Sequence, residues 1–299
     1  MRLDYDALAV LAAIIRTGSF DAAAKSLGVT QSATSQRIKQ LEDVVGSILI
    51  IRGRPCVPTE TGMVLFSHFE QIELLQAETI SRVRGEASVN STTRVRVSAN
   101  YDSLATWFPY VLKQASEELN MRLEVVSDDQ EYTEQRLRSG DALAALSTSQ
   151  MDIPGCRSIR LGAMEYTAIC SPEFCAKHFP AGVNVEALVA APSIMFDPKD
   201  TLPEQWMREC FGDSPKLSSH QVPSYEGHLL CALNGTGWAM MPLLTVGPMI
   251  ASGDLVDLSP QTRIVVTLNW YSTMHSSHLL SALSDIVRGQ ADEWLLPTN

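Results

Sequence analysis

Little in this sequence suits a membrane, a disulfide frame or a metal. No stretch approaches the roughly 18 uninterrupted apolar residues that a membrane span needs, so no membrane partner is expected. The six cysteines, Cys56, Cys156, Cys170, Cys175, Cys210 and Cys231, are scattered without a C-x-x-C pair. That pattern argues against a zinc site and fits reduced, mostly structural thiols. His275 and His278 stand three apart without an evident third ligand, so no metal is expected. The motifs G-x-S-x-G, G-x-x-x-x-G-K-[ST] and H-E-x-x-H are missing, and Gly235-x-Gly237 lacks the third glycine of a dinucleotide site. The expectation is therefore no enzyme and no cofactor. Met1-Arg2-Leu3-Asp4-Tyr5-Asp6 carries two acids where a signal peptide wants a basic start, which points to the cytoplasm.

Positive charge is also scarce. The 299 residues hold 23 Lys+Arg against 34 Asp+Glu, a net charge of −11. The imbalance is uneven: residues 1–60 contain seven basic and six acidic side chains, so the remainder carries −12. Within 31–54, four basic residues face two acidic ones. What local positive charge exists therefore lies near the N-terminus, while the rest should repel a phosphate backbone.

Three helices are legible in that segment. Leu8, Leu11, Ala12 and Ile15 recur at helical spacing, and Gly18 ends the first helix. Ser19 caps a second that carries Ala22, Ala23, Ala24 and Leu27 and stops at Gly28. Thr30 caps a third, about Gln31 to Val45, with Ile38, Leu41 and Val45 inward and Gly46 at its end. The short gap Gly28-Val29-Thr30 is a helix-turn-helix turn. The outer face of the third helix starts with Gln31, Ser32, Ser35 and Gln36 and continues with Arg37 and Lys39. Short polar groups at a helix start reach base edges in a major groove, and the basic residues meet phosphates. Ile48–Ile51 and Val57–Thr59 read as two strands around the basic turn Arg52-Gly53-Arg54-Pro55, a wing whose tip places arginine along a minor groove. The plainer alternative is a three-helix packing module. The agreement of turn, polar face, wing and charge favours double-stranded DNA as a partner.

Ser19-Phe20, Ala22-Ala23-Ala24, Leu27 and Thr30-Gln31-Ser32-Ala33-Thr34-Ser35-Gln36-Arg37-Ile38 resemble the winged helix of the LysR-type transcriptional regulators. Leu41-Glu42, Gly46, Leu49, Arg52, Thr59 and Gly62 continue the resemblance. It implies a homodimer or homotetramer that binds a near-palindromic promoter site, responds to a small molecule and works with RNA polymerase.

From Thr61 to about Glu86, Val64, Leu65, Phe69, Ile72, Leu75, Ile80 and Val83 keep a helical repeat without proline. This reads as a linker helix that pairs with a second copy; packing on its own domain is the alternative. Beyond the polar stretch 88–93, strand and helix segments alternate, which predicts a mostly parallel sheet with helices on its faces. With the resemblance to the LysR-type regulators, which implies two lobes like those of the periplasmic binding proteins, the expected fold is an α/β effector domain, two-lobed, after an N-terminal all-α winged helix-turn-helix and a long linker helix. The expected boundaries are 1–60, 61–88 and 89–299, with lobe I about 94–163 and 268–299 and lobe II about 164–267. Leu104–Leu119 reads as one helix, and Trp107, Trp238 and Trp270 as core.

In such folds ligands lie beyond the carboxyl ends of the strands. That rule selects Asn100, Asp102 and Ser103 after the first strand, Asp129 after the second, Ser147 and Thr148 after the third, and Asp197 and Asp200 in the other lobe. Asp102 and Asp129, with Asp197 or Asp200 opposite, suit a cation, which must be paired when buried. The hydroxyls suit a carboxylate. Together they sketch a receptor for a basic amino acid bridging the lobes of Asp102 and Asp197. Each strand-end Asp also has the plainer reading of a helix cap. Asn100-Tyr101-Asp102-Ser103-Leu104-Ala105-Thr106-Trp107 resembles the ArgP/LysG (IciA-like) branch of the family, as do Asp128-Asp129-Gln130 with Thr133, Pro154-Gly155-Cys156, Phe196-Asp197 with Lys199-Asp200, Gly237–Pro242 and Trp270. The resemblance implies sensing of L-lysine or L-arginine and control of an amino-acid exporter gene. It departs at Tyr101, bulkier than the pattern, and over Asp213–Tyr225. The alternatives are a LysR-type regulator of a different small molecule and a solute-binding receptor that does not bind DNA.

Overall fold

The fold is taken from a computed structural model that describes residues 3–84, 93–127, 133–134, 136–137, 141–150, 152–213, 215–273 and 278–297. The chain forms two compact units: Met1–Asn100, Val111–Ile159 and Trp270–Val287 make one, and Tyr101–Tyr110, Arg160–Asn269 and Arg288–Asn299 the other.

The first unit begins with three capped helices, α1 (Tyr5–Thr17), α2 (Phe20–Leu27) and α3 (Gln31–Val45). Asp4, Ser19 and Thr30 each accept a backbone N–H at the helix start. Gly18, Gly28 and Gly46 end the helices in the left-handed region, at φ 66°, 66° and 80°. The hairpin β1 (Ile50–Ile51) and β2 (Val57–Pro58) is antiparallel and shorter than the sequence implies. Helix α4 (Glu60–Arg84) returns its Leu65, Phe66 and Phe69 to the core made by Leu8, Leu11 and Ile14 of α1. The polar stretch 88–93 falls, apart from Thr93, outside the described residues.

The same unit holds β3 (Thr93–Ser98), parallel to both β4 (Met121–Val126) and β5 (Ala144–Ser147). Registers Val95↔Leu123 and Ser98↔Ala145 bring the carboxyl ends of β3 and β5 side by side. Arg96 of β3 ties this sheet to the helices. Its guanidinium lies 5.6 Å from the ring centre of Phe66 and bonds Glu124 at 2.8 Å and Asp141 at 2.5 Å. Arg16 meets the same ring at 5.7 Å and bonds Glu73 at 2.7 Å. Trp270 is fully buried and donates from Nε1 to Ser284 Oγ at 2.9 Å.

One expectation fails in a regular way. Leu104–Leu119 is not one helix but α5 (Tyr101–Ala105) and α6 (Phe108–Leu119). Pro109 has no N–H to give Ala105, and its ring clashes with that carbonyl, so the helix breaks ahead of it.

The second unit is a mixed sheet. Strand β6 (Cys156–Cys170) pairs antiparallel with β9 (Trp238–Pro242), which is parallel to β7 (Ser193–Met195), itself parallel to β8 (Ser219–Gln221). The edge strand β8 lies inside the segment where the family resemblance lapses. Two further strands, β10 (Val256–Asp257), antiparallel to β6, and β11 (Ile264–Thr273), complete the sheets. Every residue of β9 is buried, as a strand covered on both faces must be. Around it pack α7 (Pro172–His178), α8 (Val185–Ala190), α9 (Leu202–Phe211), α10 (Tyr225–Leu233) and α11 (Leu243–Ser252). Trp206 of α9 meets Trp238 at 5.7 Å, and helix α12 (His278–Trp294) closes the chain. No described helix is long and apolar enough to cross a membrane, and no described group of His, Cys, Asp or Glu is arranged to hold a metal. His275 lies outside the described residues.

Candidate functional site

The N-terminal candidates form one face. Thr30 caps α3 through its Oγ1, which accepts from Ala33 N–H at 3.2 Å. Gln31, Ser32, Gln36 and Lys39 are exposed on that helix, and Ser35 and Arg37 are half-buried. Thr34 and Ile38 turn inward and fix which face stays out. Glu42, whose role the sequence does not disclose, orients the wing: its Oε1 accepts from Leu49 N–H at 2.8 Å and Ile50 N–H at 3.4 Å. Cys56 N–H donates to Gly18 O at 2.8 Å and holds the far strand against the end of α1. Arg52 and Arg54 are both exposed, and the Arg52 guanidinium lies 4.9 Å from the ring centre of Phe20. A cleft of about 580 Å³ lies there, lined by Ser19, Asp21, Gln31, Arg52 and Arg54 among others. The arrangement sets a polar helix start beside two arginines, the combination that positions a protein on a DNA backbone and reads its bases.

The effector candidates fall in two groups. In the first unit, Asn100, Ser147 and Thr148 follow the adjacent carboxyl ends of β3 and β5. Asn100 Oδ1 is buried without a hydrogen-bond partner, whereas Ser147 Oγ accepts from Ser149 N–H at 3.2 Å. Asp129 lies outside the described residues.

The second unit gathers the others. Asp102 sits in the first turn of α5, and its Oδ2 accepts from the Tyr166 hydroxyl at 2.6 Å. Burial pushes the Asp102 carboxyl above its ordinary range; the Tyr166 hydrogen bond opposes that, the nearby Asp200 adds to it and His228 opposes it. Burial, reinforced by Asp102, also drives the Tyr166 hydroxyl well up. Tyr225, paired with Thr245 Oγ1, is pushed up to about 12, chiefly by burial. Ser103 is fully buried with no partner for its Oγ. Asp200 serves the backbone as well: its Oδ2 accepts from Phe196 N–H and its Oδ1 from Leu202 N–H, both at 3.1 Å. Asp197 closes a tight turn by accepting from Lys199 N–H at 2.6 Å. Asp102, expected with the first lobe, here shares the second compact unit with Asp197 and Asp200. Residues Tyr101–Tyr110 cluster with Arg160–Asn269 through the Tyr166 bond, and with Arg288–Asn299 through Tyr110 stacked on Trp294 at 4.7 Å.

Sequence reasoning missed Tyr166 and His228, and it named Phe196 only as part of the family resemblance. Tyr166 stands 64 residues from Asp102, and its one signal is a polar-tipped ring in the inward alternation Met164, Tyr166, Ala168. His228 is buried on α10, its Nδ1 3.1 Å from Ser224 O. Phe196 meets the Tyr101 ring at 5.0 Å, tilted, and stacks with His228 at 5.9 Å.

Residues 5–63 match the model of the bacterial regulatory helix-turn-helix protein, lysR family, and residues 90–292 that of the LysR substrate binding domain. The chain belongs to the LysR family. This LysR-type regulator is a DNA-binding transcription factor and not an enzyme. It is 36% identical over 294 residues, 98% of each chain, to the HTH-type transcriptional regulator ArgP of Pseudomonas fluorescens. Its fold matches the crystal structure of ArgP from Mycobacterium tuberculosis at 34% identity and a TM-score of 0.83, covering 99% of this chain and 100% of that one. It also matches full-length LysG from Corynebacterium glutamicum with bound effector Arg, at 31% identity, TM-score 0.72 and the same coverage.

Proposed function

We propose that this LysR-type regulator senses a basic amino acid, L-lysine or L-arginine, and controls an amino-acid exporter gene from a near-palindromic site. The observation that carries the reading is the Asp102 carboxylate of the second unit, whose charge burial disfavours and the nearby Asp200 repels. The groups acting on Asp102 are Tyr166, Asp200 and His228, none of them a Lys or Arg. A buried carboxylate that stands beside a second acid is stabilised by a cationic ligand, which restores the pairing that burial demands. The arginine bound by the Corynebacterium relative is the second support.

We assign Asp102, Ser103, Asp197 and Asp200, together with Asn100, Ser147, Thr148 and Asp129, to effector binding. We assign Thr30, Gln31, Ser32, Ser35, Gln36, Arg37, Lys39, Arg52 and Arg54 to DNA. Residues 1–60, 61–88 and 89–299 are taken as winged helix, linker and effector domain. Val64, Leu75, Ile80 and Val83 are exposed along α4, an apolar stripe that a second copy covers, so the regulator works as a homodimer or homotetramer in the cytoplasm. The amino acid acts through its different affinity for two arrangements of the oligomer.

The test is thermal unfolding of the purified protein against a panel of amino acids. Lysine or arginine at a hundred times its Kd adds about 2.7 kcal/mol. A flat response to both sinks the effector assignment and leaves DNA binding intact.

A further inference from the structure

We propose that the ring row Tyr101–Phe196–His228 makes this effector site select a planar delocalised cation, the guanidinium of L-arginine, over the compact ammonium of L-lysine. The inference rests on the reading that the Asp102–Asp200 pair receives the cationic end of an amino acid.

Three observations join the rings to the acids. Tyr101 directly precedes Asp102 on α5. Phe196 donates its backbone N–H to Asp200 Oδ2 at 3.1 Å, so the middle ring and the second carboxylate are held together. His228 is among the groups that act on Asp102. The rings are tilted by 39° between Tyr101 and Phe196 and by 25° between Phe196 and His228. Tyr101 is 42% exposed, Phe196 half-buried and His228 buried, so the row is open at its Tyr101 end.

The acceptors beside these rings are already partly used. Asp102 Oδ2 takes the Tyr166 hydroxyl, and both oxygens of Asp200 take backbone N–H groups. An ammonium is strongly hydrated and needs several short hydrogen bonds to replace its water. The carboxylates that would supply them already turn one oxygen of Asp102 to Tyr166 and both oxygens of Asp200 to backbone N–H groups, which fixes their orientation. A guanidinium is weakly hydrated, bonds a carboxylate in its own plane and offers its face to an aromatic ring. Carboxylates held in fixed orientations beside ring surface therefore favour the guanidinium.

Isothermal titration of the full-length protein with L-arginine and with L-lysine tests this, using wild type, Tyr101→Phe, Tyr101→Leu and Asp102→Asn. Wild type should bind arginine at least tenfold more tightly than lysine. Tyr101→Phe should keep that ratio, because the ring remains. Tyr101→Leu should weaken arginine about fivefold and leave lysine within twofold. Asp102→Asn should weaken both. Equal affinities in wild type, or an equal loss of both ligands in Tyr101→Leu, overturns the selectivity while the basic-amino-acid reading stands. Binding of neither ligand by wild type overturns both.

Discussion

Asp102→Asn should make the ligand-free protein more stable and its response to ligand weaker. The side chain keeps its shape, and an amide oxygen can still accept the Tyr166 hydroxyl that Oδ2 accepts at 2.6 Å. What disappears is a negative charge that burial disfavours and that Asp200 repels. Because the native carboxyl titrates above the unfolded one, its contribution to stability is fully present below the unfolded pKa, about 3.9. That contribution is lost as the pH rises through the raised native value. At pH 7 the wild type therefore carries a penalty that asparagine removes, and near pH 3 the two proteins should melt alike. The ligand-bound state moves the other way. A hydrogen bond to a charged group is worth about 1.5–3 kcal/mol, so affinity should fall by roughly 10- to 150-fold. At a concentration that saturates the wild type a hundredfold, the ligand adds about 2.7 kcal/mol; after a hundredfold loss it adds about 0.4 kcal/mol. For a domain of this size that means a rise in melting temperature of about 5–10 °C against about 1 °C. Differential scanning fluorimetry at pH 7 and pH 3, with and without the amino acid, reads all four states. A ligand-free variant that melts below wild type at pH 7, or one that keeps the full ligand shift, refutes the assignment of a buried carboxylate held for a cation.

Arg54→Ala should weaken DNA binding on every sequence and lower the salt slope by about one, since a phosphate contact releases counterions. Gln31→Ala should instead cost about 1–3 kcal/mol at a single base pair and leave the salt slope unchanged; fluorescence anisotropy over a salt series separates the two. Gly62→Ala should destabilise the protein by about 1–3 kcal/mol through overpacking, because a Cβ there stands 2.2 Å from Leu49 O, and a melting curve measures it. Phe66→Ala should cost about 3–5 kcal/mol in denaturant titration, since the ring is fully buried.

The winged helix was readable because its determinants are local. Ser19 and Thr30 accept hydrogen bonds from residues three places on, and Gly18, Gly28 and Gly46 end helices by backbone conformation alone. The outward face of α3 follows from a period of 3.6 residues. Pro109 shows the limit of periodicity: the apolar repeat runs on through Leu104–Leu119 while the backbone does not.

The effector cluster was readable in part. Asp102 and Asp200 follow from the rule about strand ends, and the local resemblance around Asp102 supports them. Tyr166 and His228 do not follow, because each looks like an ordinary core residue within its own element, and Phe196 follows only from the family resemblance. Nothing short-range distinguishes Asp200, which serves its loop backbone beside the site, from Asp197, which closes a turn. The sequence by itself determined the helices, their caps, the exposed polar face and the family. Tertiary structure decided which side chains share a buried space: the Tyr166 hydroxyl meets Asp102 across 64 residues, and Tyr101–Tyr110 group with Arg160–Asn269. Those meetings arise from strand register and burial, which depend on the whole chain, and burial is what turns an ordinary aspartate into one that needs a partner.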